Sequence, residues 1–121
     1  MRVYIPVTAA DIDRRRTEGF WTISPRRAWA VNHQLALALP EEDDEGREFV
    51  ASLTAASASA SGLVLAADMQ AAMLGDEGTN GEVEVSGILH NRDVACLLRL
   101  DAEDESLVWY APTEFEQLLE L

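Results

Sequence analysis

The stretch 81-GEVEVSGILHNRDVACLLRLDAEDESLVWYA-111 decides what kind of fold this chain adopts. Glu82-Val83-Glu84-Val85 alternates charged and apolar residues, the period-two pattern of a strand with one wet and one dry face. "HNRD" at 90–93 reads as a turn. "VACLLRL" then resumes alternation, with Val94, Cys96, Leu98 and Leu100 expected on one face. The acidic loop "DAEDE" separates it from "SLVWYA". Two β-prone runs around a short polar loop predict an antiparallel hairpin. The last third of the chain is therefore read as consecutive antiparallel strands.

Upstream, "PEEDDEGREFVASLTAASASASG" (40–62) is the longest helix candidate. Its acidic start complements the positive end of the helix dipole. Phe49, Leu53, Ala56 and Ala60 recur at helical spacing and are expected to form the buried stripe. The small residues after them let the helix lie close to a sheet, and Gly62 is placed to stop it. "LVLAADM" (63–69) has the length and continuous apolarity of a strand buried on both faces. "GDEGTNG" (75–81) is the best candidate for disorder. At the start, "RVYIPVT" alternates as a strand, with Pro6 suited to an edge or strand end. Thr8 is placed to cap a short helix that Gly19 stops. "FWTISPRRAWAVN" is expected to be broken at Pro25, with "RAWAVN" as a separate strand. Asn32 is placed to cap a helical turn or two that Pro40 ends. Strands and helices share one core. The predicted fold class is α+β: one domain over 1–121, a two-layer sandwich. It has a mixed, largely antiparallel sheet of five to six strands and helices on one side.

Composition bounds function. The chain has 121 residues and a net charge of −13, and all nine of its basic residues are arginine. Such a surface repels phosphates and argues against nucleic acid and anionic lipid as partners. It fits solubility, a docking face for a basic partner, or mimicry of nucleic acid. The single cysteine, Cys96, excludes an internal disulfide and favours a reducing, cytoplasmic setting. No apolar run approaches the ~20 residues of a membrane helix. The opening "MRVYIPVT" lacks the pattern of a secretory leader.

Four segments carry a resemblance across nearly the whole chain. These are "MRVYIPVT", the alanine-rich helix before "GLVLAAD", "EVEVSGILHNRDVACLLRLD" and "VWYAPTEFEQLL". Together they resemble an uncharacterised family of small actinobacterial proteins. The resemblance implies a single cytoplasmic domain and brings no active-site residues with it.

Few residues suggest chemistry. The glycines form neither nucleotide-binding fingerprint, and a chain without lysine has no P-loop. His33 and His90 are too far apart for a shared cage, so no metal and no cofactor are expected. Cys96 sits in an apolar alternation, where a thiol is buried and inert. "DRRR" (13–16) fans around a helix and reads as an exposed face paired with nearby acids. Asp68 is the best candidate for a ligand-binding residue. It ends the most apolar strand, where a carboxylate is placed to hold a ligand or cap the next helix. Trp109 and Tyr110 point to opposite sides of a strand. Trp109 is expected in the core, anchoring an amphipathic tail of Phe115, Leu118, Leu119 and Leu121 behind a Thr113–Glu116 capping box. Tyr110 is left as a possible interaction surface. No catalytic residue is assigned. The sequence points to a non-enzymatic domain that meets a protein partner or a second copy of itself. The alternative is a small enzyme or ligand-binding protein with a pocket near Asp68.

Overall fold

The computed structural model describes residues 1–101, 103–104 and 106–114. The expected tail helix and the Glu116 half of its capping box lie outside them. Among the described residues seven strands form one sheet: β1 (Arg2–Val7), β2 (Trp21–Ala30), β3 (Leu63–Asp68), β4 (Leu74–Glu77), β5 (Glu82–Leu89), β6 (Val94–Asp101) and β7 (Ser106–Tyr110). Their order is β4-β5-β2-β1-β3-β6-β7, and every pairing is antiparallel. Helices α1 (Ala9–Glu18), α2 (His33–Ala38) and α3 (Asp44–Ala58) complete the α+β sandwich. The sheet has more strands than the sequence predicts. One extra strand is β4, in the segment read as disordered. Its three-residue 3-10 turn into β5 is held by Gly81 at φ 86°. A Cβ there would come within 2.6 Å of the Ala30 carbonyl oxygen, so only glycine fits.

Two apolar clusters lie on the two faces of the sheet. The first holds Val3, Ile5 and Val7 of β1 with Trp21, Leu65, Leu89 and Leu97. Ile12, the one buried residue of α1, belongs to it. The second holds Tyr4, Trp29, Val64, Ala66, Cys96 and Leu98, covered by Leu35 of α2 and by Ala51, Ala55 and Ala56 of α3. Thus α2 and α3 share one side of the sheet, as the sequence suggests, whereas α1 packs against the other.

Of the predicted stripe only Ala56 is fully buried, and Leu53 is partly so. Ala51, Ser52, Ala55 and Ala56 are buried, Phe49 is exposed, and Ala60 lies beyond the helix end. Small side chains bring the helix backbone down onto the sheet, and the large one at Phe49 is left to the side. Nor does Pro25 end a strand. β2 is continuous, with a bulge between Ile23 and Arg26 that takes Ser24 and Pro25 out of the ladder. The bulge also changes parity: Trp21 and Ile23 face the first cluster, and beyond it Ala28 and Ala30 do. A second irregularity, opposite Ala66 and Ala67, does the same to β6. Val94 therefore faces the first cluster and Cys96 and Leu98 the second, where unbroken alternation would put all three together.

Pro6 lies one residue before the end of β1, as one of the two expectations had it, but β1 is a central strand and not an edge. On the β3 side β1 pairs along its whole length, but its ladder to β2 covers only Val3 and Tyr4. Pro6 sits where β2 has bulged away, so its missing N–H leaves no partner unpaired. Arg26 fills the gap and donates to the Pro6 carbonyl at 3.1 Å. Thr8 caps α1 and forms a capping box with Asp11; Gly19 ends that helix in the left-handed region, as expected. Asn32 caps α2 through the Leu35 N–H.

Candidate interaction face

Helix α3 runs over the middle of the sheet and leaves part of its face open. Between the α3 N-terminal half and strands β6 and β7 lies a groove of about 560 Å³. Its floor is apolar, made of Tyr4, Ala66, Cys96 and Leu98. One wall is α3, which presents Glu45, Glu48, Phe49 and Ser52 at the spacing of a single helical face. The other side is Ser106 and Leu107 of β7, and Arg2 stands at an end.

Trp109 belongs to the same face of the sheet. It pairs with Leu98 across the β6–β7 ladder, and paired residues share a face. It is 59% exposed, and Phe49 is 56% exposed. The expectation that Trp109 enters the core is therefore overturned. Its neighbour Tyr110 points the other way and packs against the first cluster, with its hydroxyl accepting from Arg99 Nε at 3.4 Å. Trp109 is therefore the exposed member of the pair and Tyr110 the partly buried one. Among the described residues β7 is an edge strand with β6 on one side only, and its outward Trp109 is left more than half exposed. Alternation alone says that two neighbours face opposite ways; it does not say which face is covered.

Cys96 is buried on the groove floor. Burial pushes its thiol pKa up, and the hydrogen bond from Trp109 and the charge of Arg2 offset this only in part. Native protein is expected to react slowly with a thiol reagent at pH 8, at least ~10-fold slower than in denaturant. Labelling at equal rates in the two states would show that the groove opens freely to its floor.

Asp68 ends β3 as expected, but it does not cap the following 3-10 turn, whose N-cap is Gln70 and has no side-chain cap bond. It instead accepts from Arg2 at 2.9 and 3.3 Å. That bond holds the Asp68 carboxyl below its usual range and raises Arg2 in turn. Asp68 is exposed and does not line the groove, whereas Arg2 does. Asp68 thus offsets the charge of Arg2 at this end of the groove. Glu45 and Glu48 have no ion-pair partner among the described residues. The groove wall is therefore net negative, and Glu48 adds to the burial that already raises the Tyr4 pKa.

The remaining candidates do not join this face. His33 opens α2 and His90 stands in the β5–β6 connection, where its backbone N–H donates to Asp93. Among the described residues no three histidine, cysteine or acidic side chains converge to hold a metal. The arginines of "DRRR" are engaged: Arg14 with Glu18, Arg16 with Asp13, and Arg15 with Asn91 at 2.8 Å. No described helix is long and apolar enough to cross a membrane.

The match that places the chain is a family model spanning residues 1–99. The chain belongs to a family of unknown function, DUF6912. No curated protein and no solved structure matches it. The DUF6912 match ends inside β6, so β7 and the closing "VWYAP" lie beyond the matched residues.

Proposed function

We propose that this DUF6912 protein is a non-enzymatic domain that works by protein–protein contact, at the face formed by α3, β6 and β7. The observation that carries the reading is the pair of exposed aromatics, Phe49 and Trp109, beside an apolar groove. Exposed aromatics around a dry depression are the usual centre of a protein-binding surface. The excess of acid supports a protein over a nucleic acid as partner. The lone cysteine fits a reducing, cytoplasmic setting. A small-molecule site near Asp68 has weaker support, since that carboxylate is occupied by Arg2 and sits outside the groove.

The test is a comparison of the native protein with Trp109→Ser and Phe49→Ser in affinity capture from the source cells. Each substitution is expected to change folding stability by less than ~1 kcal/mol, because neither side chain is buried. Each is also expected to lose a partner that the native protein retains. Capture that is unchanged in both variants, with melting temperatures also unchanged, would sink the reading.

A further inference from the structure

The two edges of the sheet are unlike each other. At one end stands β4, four residues long, irregularly paired and carrying Asp76 and Glu77. Short, charged, irregular edges resist the addition of another strand. At the other end stands β7, which reads Ser106-Leu107-Val108-Trp109-Tyr110. It has no charge, no proline and no bulge; its five residues pair with β6 in unbroken register. In an antiparallel pair alternate backbone groups point away from the partner strand. Those of β7 have no hydrogen-bond partner among the described residues. This edge, only one residue longer than β4, lacks its charges and its irregular pairing, and it borders the groove.

We propose that β7 receives an extended, cationic segment of a partner protein as an additional antiparallel or parallel strand. This rests on the protein-contact reading above and names the partner's chemistry. Backbone pairing to β7 would supply the affinity, and side chains on one face of the added strand would lie beside Trp109. Charge selects the occupant. Glu45 and Glu48 line the groove wall without ion-pair partners among the described residues, and Asp101, Glu103 and Asp104 surround the β6–β7 turn. Arg2, the one cation among the groove's described residues, has its charge offset by Asp68. A second copy carries the same net charge of −13 over the whole chain and the same acidic residues beside its own β7, so like-charge repulsion disfavours it. A segment in which lysine or arginine alternates with apolar residues matches both the edge and its field.

The probe is a synthetic eight-residue peptide alternating lysine and valine, titrated into the full chain at low ionic strength. Binding is expected, and it should weaken as salt is raised. Methylating alternate backbone nitrogens of the peptide should abolish binding for one of the two possible sets. The double variant Glu45→Lys, Glu48→Lys should weaken binding by about tenfold or more. A glutamate–valine peptide should fail to bind the native chain. Equal binding of both N-methylated peptides would overturn strand addition, and equal binding of the glutamate peptide would overturn the cationic assignment. Failure of the lysine peptide, while Trp109→Ser still loses a captured partner, would overturn this proposal and leave the contact reading standing. Binding only after removal of residues 115–121 would assign the edge to the chain's own end and overturn it too. A concentration-dependent dimer with no peptide binding would assign the edge to a second copy, and the proposal would fall in that case as well.

Discussion

Trp21→Ala is expected to lower stability by ~3–5 kcal/mol, the usual cost of removing a large aromatic from a packed core. Trp21 opens β2, pairs with Leu89 of β5 and is 1% exposed. It is among the largest fully buried side chains of the protein. Its removal leaves a cavity lined by strand side chains that are themselves tied into ladders on both sides, so the site has little freedom to collapse. Since a domain of this size has ~5–15 kcal/mol in hand, the variant should unfold at markedly lower urea concentration. A shift equivalent to less than ~1 kcal/mol would mean that the first cluster repacks around the gap. The same substitution at Trp109 should be close to neutral for folding, and the pair of measurements separates core from surface.

Asp11→Asn is the second large effect. The Asp11 carboxylate accepts from the Thr8 backbone at 2.9 Å and from Arg26 at 2.8 Å, with both ion-pair side chains less than a fifth exposed. One group thus closes the α1 capping box and holds the arginine that spans the gap between Pro6 and the β2 bulge. Burial by itself would raise the Asp11 pKa; the hydrogen bonds from Arg26 and Thr8 outweigh it and leave the pKa lowered. A lowered folded pKa stabilises the native state above the unfolded pKa, and that contribution is lost as pH falls through the folded value. Asp11→Asn should therefore cost ~2–3 kcal/mol at pH 7, the range for a charged hydrogen-bonded group that is not fully buried. The gap to the native protein should narrow below about pH 3.8, the ordinary aspartate value. Urea midpoints measured at pH 7 and near pH 3 check this. An equal gap at both would show that geometry rather than charge carries the effect.

The elements themselves were legible, because capping and alternation are local. Thr8, Gly19 and Asn32 act at the helix ends where their side chains or backbone freedom place them. Long-range geometry was not legible. Pro25 and the bulge beside it turn on where β5 runs, and Pro6 is tolerated in mid-sheet only because that bulge has opened the ladder. Phe49 has the periodicity of a core residue, yet alanine and serine win the buried face because they allow the closer approach. The groove is a product of the same choice. Its residues come from α3 and from strands β1, β3, β6 and β7, and no spacing along the chain announces them. Asp68 was found as a carboxylate at a strand end, but its partner Arg2 lies 66 positions away.

The strand order has a consequence for how the chain is made. Among the described strands, β1 is the earliest in the chain and the centre of the sheet; β2 and β3 flank it, β5 and β6 come next outward, and β7, the latest of them, is outermost. Synthesis therefore lays the sheet down from the middle towards both rims. Each new strand meets a neighbour that has already emerged, with β4 alone having to wait for the strand after it. At ~5–20 residues per second, the interval between successive strands is long enough for each to find its template. The nascent chain adds to a growing sheet at both rims, and the β7 rim proposed above to receive a partner strand is formed after its neighbour β6 is in place.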